Sequence, residues 1–198
     1  MPRNVVIIGA NRGVGLELVR KYKLNNDNVI AVCRNTNDEL ENLGVEVITD
    51  VDVQDDKSMA QLSVKIPVER IDILIHSAGI LRGDHFPEID LNSMREQFEI
   101  NTLGPLKSVF ILKEKLVAGS KIGLITSRVG SIADNSSSNN YGYRTSKAAL
   151  NMIGKCLSLD LKDQNIAVAL LHPGYVRTDM TGGNGLMDPD ESARGLFD

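Results

Sequence analysis

The chain has no tryptophan and only eight other aromatic residues, four Tyr and four Phe, among 198. A core built without large rings must come from Val, Ile, Leu and Ala, the composition of a parallel sheet covered by helices. Cysteine is equally scarce: Cys33 and Cys156 stand far apart, with no CxxC and no Cys/His cluster. That excludes a disulfide scaffold, and two reduced, buried thiols are the expectation. His76, His85 and His172 are scattered without ligand spacing, so no metal site is expected and all three read as structural or surface residues. No apolar run approaches the roughly 18 to 20 residues that cross a bilayer. The opening Met1-Pro2-Arg3-Asn4 passes directly into a short apolar run, too short for a secretory signal. A cytoplasmic protein with no membrane partner is therefore expected. Nor is there a basic excess: 26 acidic against 22 basic side chains give a net charge of −4, which argues against sequence-independent nucleic-acid binding. A Gly-Lys-Ser/Thr phosphate loop and a G-x-S-x-G elbow are both missing, which disfavours a nucleotide kinase and a serine hydrolase.

What is present is ordinary for a globular chain, 42% hydrophobic and 24% charged, of a length that suits one domain. Six aliphatic runs read as strands: residues 5–8, 29–33, 45–49, 71–76, 122–126 and 166–171. Each is continuously apolar rather than alternating, which predicts burial on both faces. Helical patterns fill the gaps at 14–23, 55–65 (with Asp55 as its cap), 91–116 (bent at Gly104-Pro105) and 143–161. The expected fold class is therefore α/β, a three-layered, doubly wound parallel sheet (Rossmann fold) in one domain spanning 1–198. The polar tract 134–140 reads as a surface loop, and 181–190 as a mobile one.

The first strand ends in Gly9-Ala10-Asn11-Arg12-Gly13-Val14-Gly15, and a helix follows. Glycines there let the backbone approach a diphosphate, while free N–H groups at the helix start stabilise its charge. Arg34 follows the second strand, where a dinucleotide's adenosine ribose lies in such folds and where NAD sites often carry an acid. With Arg12 from the glycine loop, it suits a 2′-phosphate, so NADP(H) is expected in preference to NAD(H). Tyr143 and Lys147 sit four apart on one helix face. An ammonium one turn away, with a cationic nicotinamide, would lower the phenol pKa from about 10 and make Tyr143 a usable acid/base.

In these motifs, in order and over essentially the whole chain, the sequence resembles the short-chain dehydrogenase/reductase family. Gly9/Gly13/Gly15, Asp52-Val53, Ala78-Gly79, Asn101, Ser127, Tyr143/Lys147 and Pro173-Gly174 with Thr178 carry the likeness. It is most similar to the NADP-dependent carbonyl reductases of the C-factor and Sniffer type. The resemblance implies that Tyr143 is the acid/base, that Lys147 lowers its pKa and binds the nicotinamide ribose, and that Ser127 holds the substrate carbonyl. It implies that Asn101 holds a relay water. Asp52 and Val53 would contact adenine, Ser77, Ala78 and Gly79 the adenosine ribose region, and Pro173, Gly174, Val176 and Thr178 the carboxamide. Asn11 and Val14 belong to the glycine loop.

Ile8 stands where the family often has Thr, and His76-Ser77 where it has Asn-Asn. Ser127 precedes Tyr143 by more residues than usual, leaving Ser131 as the alternative serine. The family usually adds a seventh strand beyond the point where this sequence ends, so a sheet lacking that last strand is expected. The implied activity is hydride transfer from NADPH to a small aldehyde or ketone, with a substrate loop at about 175–190 and a homodimer or homotetramer. The other reading is a non-enzymatic NADP-binding sensor or signalling protein.

Overall fold

The computed structural model describes residues 2–197. Six strands, β1 (Asn4–Ile8), β2 (Asn28–Val32), β3 (Glu46–Ile48), β4 (Ile71–His76), β5 (Leu116–Ile125) and β6 (Ala167–Leu171), form one sheet in the order β3-β2-β1-β4-β5-β6. Every pairing is parallel, with Ile7 opposite Ala31 on one side and Ile75 on the other. The helices are α1 (Gly13–Leu24), α2 (Asp38–Glu41), α3 (Asp56–Ala60), α4 (Leu62–Lys65), α5 (Leu91–Phe98), α6 (Gly104–Leu112), α7 (Tyr141–Asp160) and α8 (Pro189–Phe197).

Alternate residues of β1 enter different cores, which is why its run is unbrokenly apolar. Val6 and Ile8 join Ile30, Leu74, Leu124, Val109 and Leu150 under α6 and α7. Val5 and Ile7 join Ala31, Ile75, Leu16, Val19 and Ala193 under α1 and α8. Each such buried aliphatic chain contributes about 1.5–3 kcal/mol. Helix α8 lies on α1, where the Tyr22 and Phe197 rings meet edge to face at 4.9 Å. The three layers are thus complete, with the crossing from β3 to β4 opening a crevice above the β1 and β4 ends.

Several expectations need correction. β6 is hydrogen-bonded on one side only and is largely exposed, Leu170 at 40%, so two-sided burial fails at this sheet edge. Helix 55–65 is interrupted at Gln61 into α3 and α4, although Asp55 does cap α3 by accepting from Lys57 N–H at 2.9 Å. The stretch 91–116 is not one bent helix: α5 passes into a π-helical segment, Glu99–Leu103, then α6, a 3-10 turn at Lys113–Lys115, and β5 already begins at Leu116. Pro105 has no N–H to give the Asn101 carbonyl, and the Gly104 N–H donates five residues back to Glu99. The irregularity therefore falls before the Gly-Pro pair. Helix α7 starts at Tyr141, two residues early. Both cysteines are free, but Cys156 is exposed; burial pushes the Cys33 thiol up, with nearby Asp50 adding to it.

Candidate active site

All of the sequence-predicted groups lie at the carboxyl ends of the strands or on the helices that face them. Behind β1, Gly9 has φ +84°, and a Cβ there would overlap the Ala78 backbone, while one at Gly15 would overlap the Gly9 carbonyl. The first turn of α1 thus sits tight against the sheet. Its cap residue Arg12 makes no side-chain capping bond and its first turn holds no acid, so the helix start is left electropositive. The Asn11 amide donates to the Asn35 carbonyl at 2.9 Å, tying the glycine loop to the β2 exit.

Arg34 and Arg12, assigned to one phosphate, each face a carboxylate. Arg34 Nη1 is 3.8 Å from Asp52 Oδ2, and Arg12 Nη1 is 3.2 Å from Asp179 Oδ2. Both guanidinium groups are mostly exposed. The Thr36 hydroxyl, two residues after Arg34, is buried and has no hydrogen-bond partner. Val53 is a core residue packed toward Gly104, and Val176 is also buried. Ser192 donates to the Pro173 carbonyl at 2.6 Å, and Arg177 N–H to Met187 at 3.0 Å, so the 175–190 loop is braced rather than loose.

Asn101, Ser127, Tyr143 and Lys147 converge. Lys147 is buried; its Nζ donates to the Ile125 carbonyl at 2.7 Å and stands 5.7 Å from the centre of the Tyr143 ring. Burial lowers its pKa to about 8. Burial raises the Tyr143 pKa, and a hydrogen bond with the Ser127 hydroxyl opposes that rise. The Lys147 ammonium is itself disfavoured by desolvation and is turned to the Ile125 carbonyl. Ser127, not Ser131, meets Tyr143; the Ser131 hydroxyl instead accepts from Asp134 N–H at 3.2 Å.

The Asn101 amide accepts from Ile80 N–H at 2.8 Å and donates to the Ile80 carbonyl and to Ser146 Oγ. The side chain is therefore fully engaged, and Pro105 removes the α-helical donor to the Asn101 carbonyl. A Cβ on Gly79 would lie 3.1 Å from Asn101 Oδ1 and 3.8 Å from Lys147 Nζ, so its absence keeps a cradle open beside both. That cradle, the bare α1 start and the orphaned Thr36 hydroxyl together fit a phosphorylated dinucleotide laid from β2 across β1 to α7.

Sequence reasoning gave no individual role to three contributors, although Met180 falls within the expected 175–190 substrate loop. Gln97 is fully buried and holds the Arg82 backbone, Asp84 accepts from the first amides of α7, and Met180 lies near Gly79. None belongs to a motif or to a periodic pattern. His76 is buried and neutral, its pKa lowered to about 3 by burial and by the charge of Lys147, with Nδ1 3.0 Å from Ser108 Oγ. His85 pairs with Glu88 at the surface, and His172 accepts from Arg128 N–H at 3.3 Å. Among the described residues no cluster of three or more His, Cys, Asp or Glu could hold a metal, and no helix is long and apolar enough to cross a membrane.

Comparison with known proteins gives the same outline. The family model described as short chain dehydrogenase matches residues 3–188. A 1-hydroxy-2-glutathionyl-2-methyl-3-butene dehydrogenase of Rhodococcus sp. is 37% identical over 98% of this chain and 88% of its own length. Among solved structures, the NADPH-bound carbonyl reductase from chicken fatty liver superposes with TM-score 0.87 at 28% identity, covering 99% of this chain and 90% of that one. The carbonyl reductase Sniffer of D. melanogaster gives TM-score 0.89 at 28% identity, covering 98% and 89%.

Proposed function

The chain belongs to the short-chain dehydrogenase/reductase family of oxidoreductases, and from that premise we propose that it is an NADP(H)-dependent carbonyl reductase acting on a small aldehyde or ketone, or on the corresponding alcohol in reverse. The observation that carries this reading is the meeting of Ser127, Tyr143 and Lys147 above the β5 end, with Asn101 beside them. The chicken and fly relatives are carbonyl reductases, and the former binds NADPH; the Rhodococcus relative is named for dehydrogenating a hydroxy compound.

Gly9, Asn11, Gly13, Val14 and Gly15 would cradle the diphosphate on the α1 start, and Arg12 and Arg34 would exchange their carboxylate partners for a 2′-phosphate. Asp52 and Val53 would flank adenine, Ser77, Ala78 and Gly79 the adenosine ribose region, and Pro173, Gly174, Val176 and Thr178 the carboxamide. Bound, the cofactor supplies the hydride and, when oxidised, a positive ring charge. Ser127 donates a hydrogen bond to the substrate oxygen and so stabilises charge developing there. Tyr143 delivers its proton to that oxygen, and Lys147 holds the ribose and stabilises the phenolate left behind. A water on the Asn101 carbonyl returns the proton toward Lys147. Because burial raises the Tyr143 pKa in the free chain, the tyrosine rests protonated, the form a carbonyl reduction needs.

Pairing through α5 and α7, as in the family's dimers and tetramers, is part of this reading; Leu91, Phe98 and Met152 on these helices are exposed. The test is consumption of NADPH against a panel of aldehydes and ketones. Turnover of at least one is expected, and a protein that binds NADPH yet reduces none would refute the proposal.

A further inference from the structure

Asp84 lies in the loop after β4, 57 residues from Tyr141, and belongs to no motif, yet it is nearly buried. Its two carboxylate oxygens are both taken by the first turn of α7: Oδ1 accepts from Tyr141 N–H and Oδ2 from Gly142 N–H, the latter at 3.1 Å. Its own carbonyl accepts from Asn140 N–H at 2.8 Å. The residue in the ordinary capping position, Asn140, is left-handed at φ 49° and makes no capping bond of its own. Asp84 therefore supplies from another loop the cap that the helix start lacks, and its charge meets the positive end of the α7 dipole. Both oxygens are committed to backbone amides of the helix start.

The segment that carries Asp84 is itself held at every second residue. Asn101 takes both backbone groups of Ile80, and the buried Gln97 takes both of Arg82, accepting from its N–H at 3.0 Å and donating to its carbonyl at 3.3 Å. A Cβ on Gly142 would overlap the Gln97 amide, so the first turn of α7 is also seated directly on α5. Residues 80–84, α5 and the start of α7 thus form one braced unit, and Tyr143 is the next residue along.

We propose that Asp84 is a positioning residue: it fixes the first turn of α7 so that the Tyr143 hydroxyl stays against Ser127, and it locks this turn to the loop on the substrate side of the crevice. The proposal rests on the carbonyl reductase reading above. The glycine loop that would hold the diphosphate lies elsewhere, on β1 and α1, and Lys147 sits a full turn beyond the first amides of α7, so most of the cofactor affinity does not depend on Asp84.

The test compares Asp84→Ala and Asp84→Asn with the parent, reading kcat, KM, the NADPH dissociation constant and the crystal structure of Asp84→Ala. A misplacement of about 1 Å costs about a hundredfold, so kcat of Asp84→Ala should fall about ten- to a hundredfold with NADPH affinity largely unchanged. Asn keeps one acceptor oxygen but sets its amide N–H2 against the second backbone N–H, so Asp84→Asn should restore kcat in part, to a value between Ala and the parent. In the Ala crystal the Tyr143 hydroxyl should have moved off Ser127. An Ala variant with parental kcat and Tyr143 in place would overturn the proposal. So would an Asn variant as impaired as Ala, or a loss of NADPH affinity in step with kcat, which would mark general damage to the fold. Should Asp84→Ala not fold, Asp84→Ser, which keeps one acceptor, takes its place. A parent that reduces no carbonyl refutes the proposed function alone, and the crystal comparison still decides the role of Asp84.

Discussion

His76 shows how much one residue changes when its surroundings are known. In sequence it is a substitute for an asparagine; in the fold it is a fully buried imidazole whose Nε2 has no partner. Ser108 gives its proton to the Gly104 carbonyl at 2.8 Å, so its oxygen accepts from His76 Nδ1, which fixes the tautomer. Burial lowers the pKa to about 3 from 6.5. The unfolded chain therefore binds a proton here below pH 6.5 that the folded chain refuses. The stabilisation is fully present above pH 6.5 and is lost as the pH falls toward 3, at about 1.4 kcal/mol per pH unit. His76→Asn should flatten that part of the stability profile. Urea unfolding of both proteins between pH 7 and 4 checks this, and parallel profiles would contradict it.

Where elements end decides what can be bound. Arg12 stands at the N-cap position of α1 and Arg34 leaves β2, two ends carried by neighbouring parallel strands with Gly9 N–H bonded to Val32, and in the proposed reading both meet one phosphate. Losing one charged hydrogen-bonding partner of a phosphate costs about 1.5–3 kcal/mol, or about ten- to a hundredfold in affinity. Arg34→Gln is the suitable change, since an acidic replacement would face Asp52. It should weaken NADPH by that factor and leave NADH unchanged; equal effects on the two in parallel titrations would exclude a 2′-phosphate at Arg34. The strands were readable because parallel sheets bury both faces and so leave unbroken aliphatic runs, as β1, β2 and β4 do. β6 shares that pattern although it is an exposed edge, because composition does not record which strand has a neighbour. The π segment at Asn101 was not readable, since it depends on how the missing Pro105 N–H is accommodated. Tyr143, Lys147 and the glycines were legible through local spacing. Asp84 and Gln97 were not: their partners are 57 and 15 residues away, and nothing local marks them.

At the scale of the whole molecule the site exists only because of the sheet order. Ser127 comes from the β5 exit, Tyr143 and Lys147 from α7, and Asn101 from the π segment, and the four meet over a crevice opened by the crossing from β3 to β4. The net charge of −4 says nothing of this crevice, whose proposed cofactor end would carry Arg12 and Arg34. The account stands or falls on the proton carried by Tyr143. The most direct measurement is single-turnover oxidation of bound NADPH by a reducible carbonyl compound, in the parent and in Tyr143→Phe. Removing a positioned general acid costs about 10²–10⁴ in rate. The account predicts a fall within that range with NADPH affinity retained; a Phe variant that turns over at the parental rate would contradict it.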